Sequence, residues 1–101
     1  MDSLGFKWVW SDDKSRINKQ KHGLSFSTAA LVFDDPLALS KPDPHPDGDR
    51  WQTLGLVGNV VLLVVHTWPE WNGSSNEEQG RIISARKATP HERRAYEEER
   101  H

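Results

Sequence analysis

Three separated parts of the chain carry side chains that could act on a phosphodiester. Lys14, Arg16, Lys19 and Lys21 fall close together and run into His22; His45 and Arg50 stand in mid-chain; Arg81, Arg86, Lys87, Arg93 and Arg94 gather near the end. Arginine can hold two phosphate oxygens at once, and histidine is matched to proton transfer near neutral pH. Metal-free cleavage of RNA calls for both. It needs a group to take the 2′-OH proton, cations to stabilise the pentacoordinate phosphate, and a group to protonate the leaving oxygen. As composition alone, the same residues suit a solvated face or a protein-binding surface.

Other chemistries find less support. His22, His45, His66 and His91 fall at expected element boundaries, but no pair has HxH or HxxxH spacing and there is no cysteine. No metal site or cofactor is therefore expected, and structural or solvated histidines are. No Gly-rich phosphate loop and no GxSxG elbow occurs.

The elements that must position these groups can be read from caps and periodicity. Gly80 to Glu98 reads as a strand over Arg81 to Lys87, then a helix that starts at Thr89-Pro90-His91-Glu92. Thr89 is its expected N-cap, Pro90 suits the first position, and Glu92 stands where a capping-box carboxylate reaches back. An earlier helix is expected over Asp12 to His22, with Ser11 or Asp12 as cap, acids first, bases last, and Gly23 at its end. Ile17 is its one strong apolar residue. Lys14 and Lys21 share its side at helical spacing, and so border whatever Ile17 buries.

Phe6 to Trp10 alternates as a strand with Phe6, Trp8 and Trp10 on one face, and Trp8 and Trp10 are read as core rather than as stacking platforms. Ser25 caps a helix from Phe26 to Phe33 that Asp34-Asp35-Pro36 ends. Leu37 to Ser40 is an expected edge strand, and Asp43 to Asp49 a loop. Arg50 to Leu56 and Asn59 to Thr67 form a hairpin about Val57-Gly58-Asn59, with Val60 to Val65 as a central strand covered on both faces. Trp68 to Gln79 reads as a loop without structure. The expected fold class is α+β: an antiparallel sheet of four to five strands packed on one side by two N-terminal helices, with a C-terminal helix, its other face left for substrate or partner.

Residues 1–101 are expected to form a single domain. Lys and Arg number 13 against 15 Asp and Glu, a net charge of −2, so any nucleic-acid contact must rest on local clustering. The lack of cysteine fits a reducing cytoplasm, the expected location. The apolar run Val60 to Val65 is too short to span a bilayer, and the first residues carry no apolar signal region.

A resemblance rests on an ordered set of motifs. These are Lys21-His22-Gly23-Leu24-Ser25-Phe26 after a charged helix containing Asn18; Val32-Phe33-Asp34-Asp35-Pro36; Asp43 and His45 ahead of Arg50-Trp51; and Gly80-Arg81-Ile82-Ile83-Ser84-Ala85-Arg86-Lys87-Ala88-Thr89 with Glu92, Arg93 and Tyr96. Together they resemble the BrnT family of bacterial toxins over nearly the whole chain. The resemblance implies a RelE-like fold and a ribonuclease that arrests translation. It also implies a BrnA-like antitoxin of the ribbon-helix-helix DNA-binding type, in a 2:2 complex that meets operator DNA only through the antitoxin.

Carried over by residue, the resemblance implies Lys21, His22, His45, Arg50, Arg81, Arg86 and Glu92 as catalytic candidates. Arg86 and Arg81 would stabilise phosphate with Lys21 assisting, and His22 or His45 would move protons. Lys14, Lys19, Lys87, Arg93, Arg94 and Tyr96 are the expected RNA contacts around them. The stretch Trp68 to Gln79 looks longer than the compact turn usual in that family. The rival expectation is a non-catalytic antitoxin-binding module acting in operon autoregulation.

Overall fold

The computed structural model describes residues 6–44, 49–68, 70–71 and 78–99. Its sheet is built on the hairpin of Trp51–Val57 (β3) and Val60–His66 (β4), in register from Val57 opposite Val60 to Trp51 opposite His66. Gly58 makes the reversal at φ 63, a left-handed conformation that glycine adopts without a Cβ penalty. Glu78–Lys87 (β6) pairs antiparallel with β4, and Leu39–Pro42 (β2) antiparallel with β3. Phe6–Val9 (β1) lies parallel to β6, so the order is β1-β6-β4-β3-β2.

The sheet is thus mixed, where an antiparallel one was expected. Short reversals dictate antiparallel neighbours, but β1 and β6 come from opposite ends of the chain, and a parallel pair needs a long crossover that leaves no local signal. A second correction concerns the supposed loop after Trp68. Glu70–Trp71 (β5) pairs with Glu78 and Gln79, so β6 starts three residues before Arg81 and is held there between β1 and β5. The rest of that loop, residues 69 and 72–77, lies outside the described residues.

Asp12–His22 forms α1 with Ser11 and Gly23 as its caps, Gly23 at φ 76. The next helix departs from expectation: it is a single α-turn, Phe26–Ala29 (α2), continued as a 3-10 segment, Ala30–Asp34. Phe26 and Ala29 of the α-turn and Val32 of the 3-10 segment follow one another at three-residue spacing and face the sheet, all fully buried. They pack on Leu62 and Val64 of β4 and Ile82 and Ala85 of β6. Close approach is needed at two points. A Cβ on Gly55 would stand 2.7 Å from that of Val32, and one on Gly80 would stand 2.4 Å from the Trp8 ring. Trp8 stacks on Phe33 with ring centroids 3.8 Å apart, and Trp10 is partly buried against the same cluster, so both tryptophans are core residues as expected.

Leu54 and Leu63 alternate with the residues facing this core and point to the other side of the sheet. There Pro90–Glu99 (α3) lies, with Glu92, Ala95 and Glu99 lining a cavity of about 280 Å³ together with Leu39, Leu54 and Leu63. Helices therefore pack on both faces, not one. Tyr96 anchors α3. Expected at the RNA surface, it is only 1% exposed, and its hydroxyl donates to Asp35 Oδ2, which also accepts the N–H of Leu56 at 2.8 Å. A buried ring with a bonded hydroxyl supplies hold that a helix with two apolar residues otherwise lacks. Among the described residues, no helix is long and apolar enough to cross a membrane.

Candidate functional site

α1 reaches the sheet through a polar anchor. Ile17, expected to be buried, is 49% exposed, and Asn18 is the buried residue of the helix. The Asn18 amide donates to the carbonyls of Leu24 and Ala85, both at 2.9 Å, and its Oδ1 accepts the N–H of Ala85 at 3.2 Å. β1 covers β6 only as far as Arg81, so Asn18 satisfies backbone groups of β6 beyond the end of that neighbour. Periodicity of apolar residues is blind to such an anchor; the signal was an oddly polar helix with an asparagine in the row of Lys14 and Lys21.

With Asn18 docked, the same side of α1 faces the last strand. Lys14, Ile17, Lys21 and His22 line a depression of about 230 Å³ with Ile83 and Ser84. Three residues singled out in the sequence, Lys14, Lys21 and His22, are thereby brought against a segment more than sixty residues away. Ser84 was missed, and only its place between Arg81 and Arg86 hinted at it.

On β6, Ile82 and Ala85 point into the core, with a register shift between them opposite Val65 and His66. Alternation on either side of that shift places Arg81, Ser84 and Arg86 on the opposite face. Arg86 is engaged there. Its two terminal nitrogens donate to the two carboxylate oxygens of Glu92 at 2.8 and 2.9 Å, and Nη1 also donates to the Lys87 carbonyl. Glu92 is the expected capping-box residue: its Oε1 accepts the Thr89 N–H at 2.8 Å and its own N–H donates to Thr89 Oγ1 at 3.2 Å. The Arg86 hydrogen bonds, aided by those from Thr89, hold the Glu92 carboxyl well below the usual range, at about 2. The same contact raises the Arg86 guanidinium.

The remaining candidates are not gathered into one place. Arg81 is exposed on β6 and Arg50 is half-buried just before β3. Lys19 is exposed but does not line the depression, Lys87 is exposed at the end of β6, and Arg93 and Arg94 are exposed on α3. His45 lies outside the described residues. His66 is a structural histidine, fully buried, with Nε2 bonded to Thr53 Oγ1 at 2.6 Å and Nδ1 to the Thr67 carbonyl at 2.8 Å. Burial lowers its pKa. Among the described residues, no group of three or more His, Asp or Glu side chains is arranged to hold a metal ion.

Comparison with curated proteins finds no match. A family model described as "Ribonuclease toxin, BrnT, of type II toxin-antitoxin system" matches residues 10–92, from the end of β1 to the first turn of α3, and so spans the α1 anchor, the depression and the Arg86–Glu92 pair. A toxin of this type implies an antitoxin partner. The chain belongs to the BrnT family of ribonuclease toxins of type II toxin-antitoxin systems.

Proposed function

We propose that this chain cleaves single-stranded RNA by internal transesterification, without a metal ion, at the depression between α1 and β6. The observation that carries the reading is the meeting of Lys14, Lys21 and His22 with Ser84 on the strand that also bears Arg81 and Arg86. His22 takes the 2′-OH proton, O2′ attacks phosphorus, and the P–O5′ bond breaks. The departing O5′ takes up a proton across the same depression, where the Lys21 ammonium stands beside His22. Lys21 and Lys14, which line the depression, face the charge that grows on the phosphate, and such fixed cations act where charge develops; Arg81, exposed farther along β6, meets a flanking phosphate. Arg86, already paired with Glu92, holds the strand end and the helix start in place and turns its remaining N–H groups to the flanking phosphate. Lys14, Lys19, Lys87, Arg93 and Arg94 extend the positive surface. RNA breakage of this kind inhibits translation in the cytoplasm. A BrnA-like antitoxin of ribbon-helix-helix type, bound in a 2:2 complex, neutralises it and supplies the contact with operator DNA.

One observation favours a second reading. The Glu92 carboxylate cancels the charge of Arg86, and a site that has lost this cation to a structural pair suits a non-catalytic module that serves the antitoxin in operon control. Incubation of the purified chain with RNA in the presence of a chelator separates the two. Fragments with 5′-hydroxyl ends support the nuclease; intact RNA supports the module.

A further inference from the structure

We infer that the trough between α3 and the strands β2 and β3 is the docking site of the antitoxin, and that it takes a segment carrying a large apolar side chain beside lysine or arginine. The inference rests on the antitoxin partner that the family implies and goes beyond it by naming the face. Glu92, Ala95 and Glu99 follow one another at helical spacing, so the cavity of about 280 Å³ runs along two turns of α3. Leu39, Leu54 and Leu63 form its other wall. Leu63 is buried, but Leu39 and Leu54 are only half-buried, and the helix turns toward them its smallest apolar side chain, the exposed Ala95. Tyr96 is the one buried residue of α3. A helix seated by a single ring leaves these leucines short of the contacts that a close-packed interior supplies, and a partner's apolar side chain completes them.

The rim chooses the partner. Arg86 already holds Glu92, but Glu99 makes no ion pair among the described residues, and Glu97 and Glu98 stand beside it in a last turn that contains no base. Negative charge at a helix C-terminus opposes the macrodipole, and an incoming cation relieves it. Arg100, next in sequence and outside the described residues, is one cation for three carboxylates. On the strand side, Gln52 lines the trough and donates from Nε2 to Asp43 Oδ1 at 2.5 Å, which brings a further carboxylate to the rim; Lys41 is the one cation in the lining. RNA would set its phosphates against these carboxylates. The depression between α1 and β6, which shares no lining residue with the trough, offers it lysines instead. An apolar anchor in the trough with basic residues at its mouth is the complement of this surface.

The test titrates the full chain with its purified antitoxin in a calorimeter at low and at high salt. Ala95→Trp, which fills the trough from an exposed position, is expected to weaken binding at least about tenfold. Glu99→Lys is expected to weaken it about tenfold at low salt and to flatten the salt dependence. A matching urea midpoint shows that each variant is folded, and both are expected to cut RNA as the parent does. If both variants bind the antitoxin as the parent does, the docking site is overturned while the partner stands; loss of binding in Lys21→Ala would then put the antitoxin on the depression. If Ala95→Trp instead abolishes self-association of the parent on gel filtration and leaves antitoxin affinity unchanged, a second copy fills the trough and the inference is again overturned. If the parent binds no antitoxin, the inference falls together with the proposed partner, and the chelator assay on RNA still decides the nuclease.

Discussion

Glu92 grips the guanidinium of Arg86 with both carboxylate oxygens while also capping its own helix at Thr89, so one side chain ties the end of β6 to the start of α3. Its pKa near 2, against an ordinary 4.5, sets the sign of the pH effect. The stability it contributes is complete above pH 4.5 and is lost as the pH falls toward 2. Glu92→Gln is expected to lower stability at pH 7 by about 1 to 2 kcal/mol, allowing for solvent screening of a partly exposed pair. Urea titrations from pH 7 to pH 2.5 should show the parent converging on the variant in the acid range.

Asn18 is the load point between α1 and the sheet. Asn18→Ala strips hydrogen bonds from Ala85 and Leu24, and a buried amide group left unpaired costs about 1 to 3 kcal/mol. Chemical denaturation should show that loss. Hydrogen exchange should show faster exchange at Ala85, whose N–H Asn18 accepts. Activity should fall as well, since Lys21 and His22 ride on the same helix.

Close backbone approach predicts a second class of damage. Gly55→Ala meets the Cβ and carbonyl oxygen of Val32, neither of which can swing aside, and Gly80→Ala meets the Trp8 ring. Each should destabilise by about 1 to 3 kcal/mol. Thermal melts check the magnitude, and near-ultraviolet circular dichroism of Gly80→Ala should report the displaced indole.

Lys21 and His22 are exposed, so removing either should barely touch folding. Lys21→Ala and His22→Ala are expected to keep the parent's stability to within about 0.5 kcal/mol. Loss of a positioned acid or base is expected to slow RNA cleavage at least about 100-fold. A melt and a single-turnover cleavage assay on the same preparation separate the two effects.

What could be read in advance was local. Ser11, Gly23 and the Thr89–Glu92 box give helix ends because a cap is satisfied within a few residues. Gly58 gives the hairpin for the same reason. The parallel pairing of β1 with β6, the burial of Tyr96 and the exposure of Ile17 depend on residues far apart in the chain, and no periodicity encodes them. The site follows the same division. Lys14, Lys21 and His22 were visible as a cluster, but that Ser84 faces them is a consequence of Asn18 docking on Ala85, a tertiary fact. Arg86 and Glu92 were both named, yet only the fold shows that each takes up the other.

The account stands on RNA cleavage by groups of α1 set against β6. Its most direct measurement is the end chemistry of a single-stranded RNA treated with the purified chain in excess chelator, beside the His22→Ala/Lys21→Ala double variant. The account predicts 2′,3′-cyclic phosphate and 5′-hydroxyl ends from the parent and intact RNA from the folded double variant. Intact RNA from the parent, cleavage only when divalent metal is restored, or equal cleavage by the double variant would contradict it.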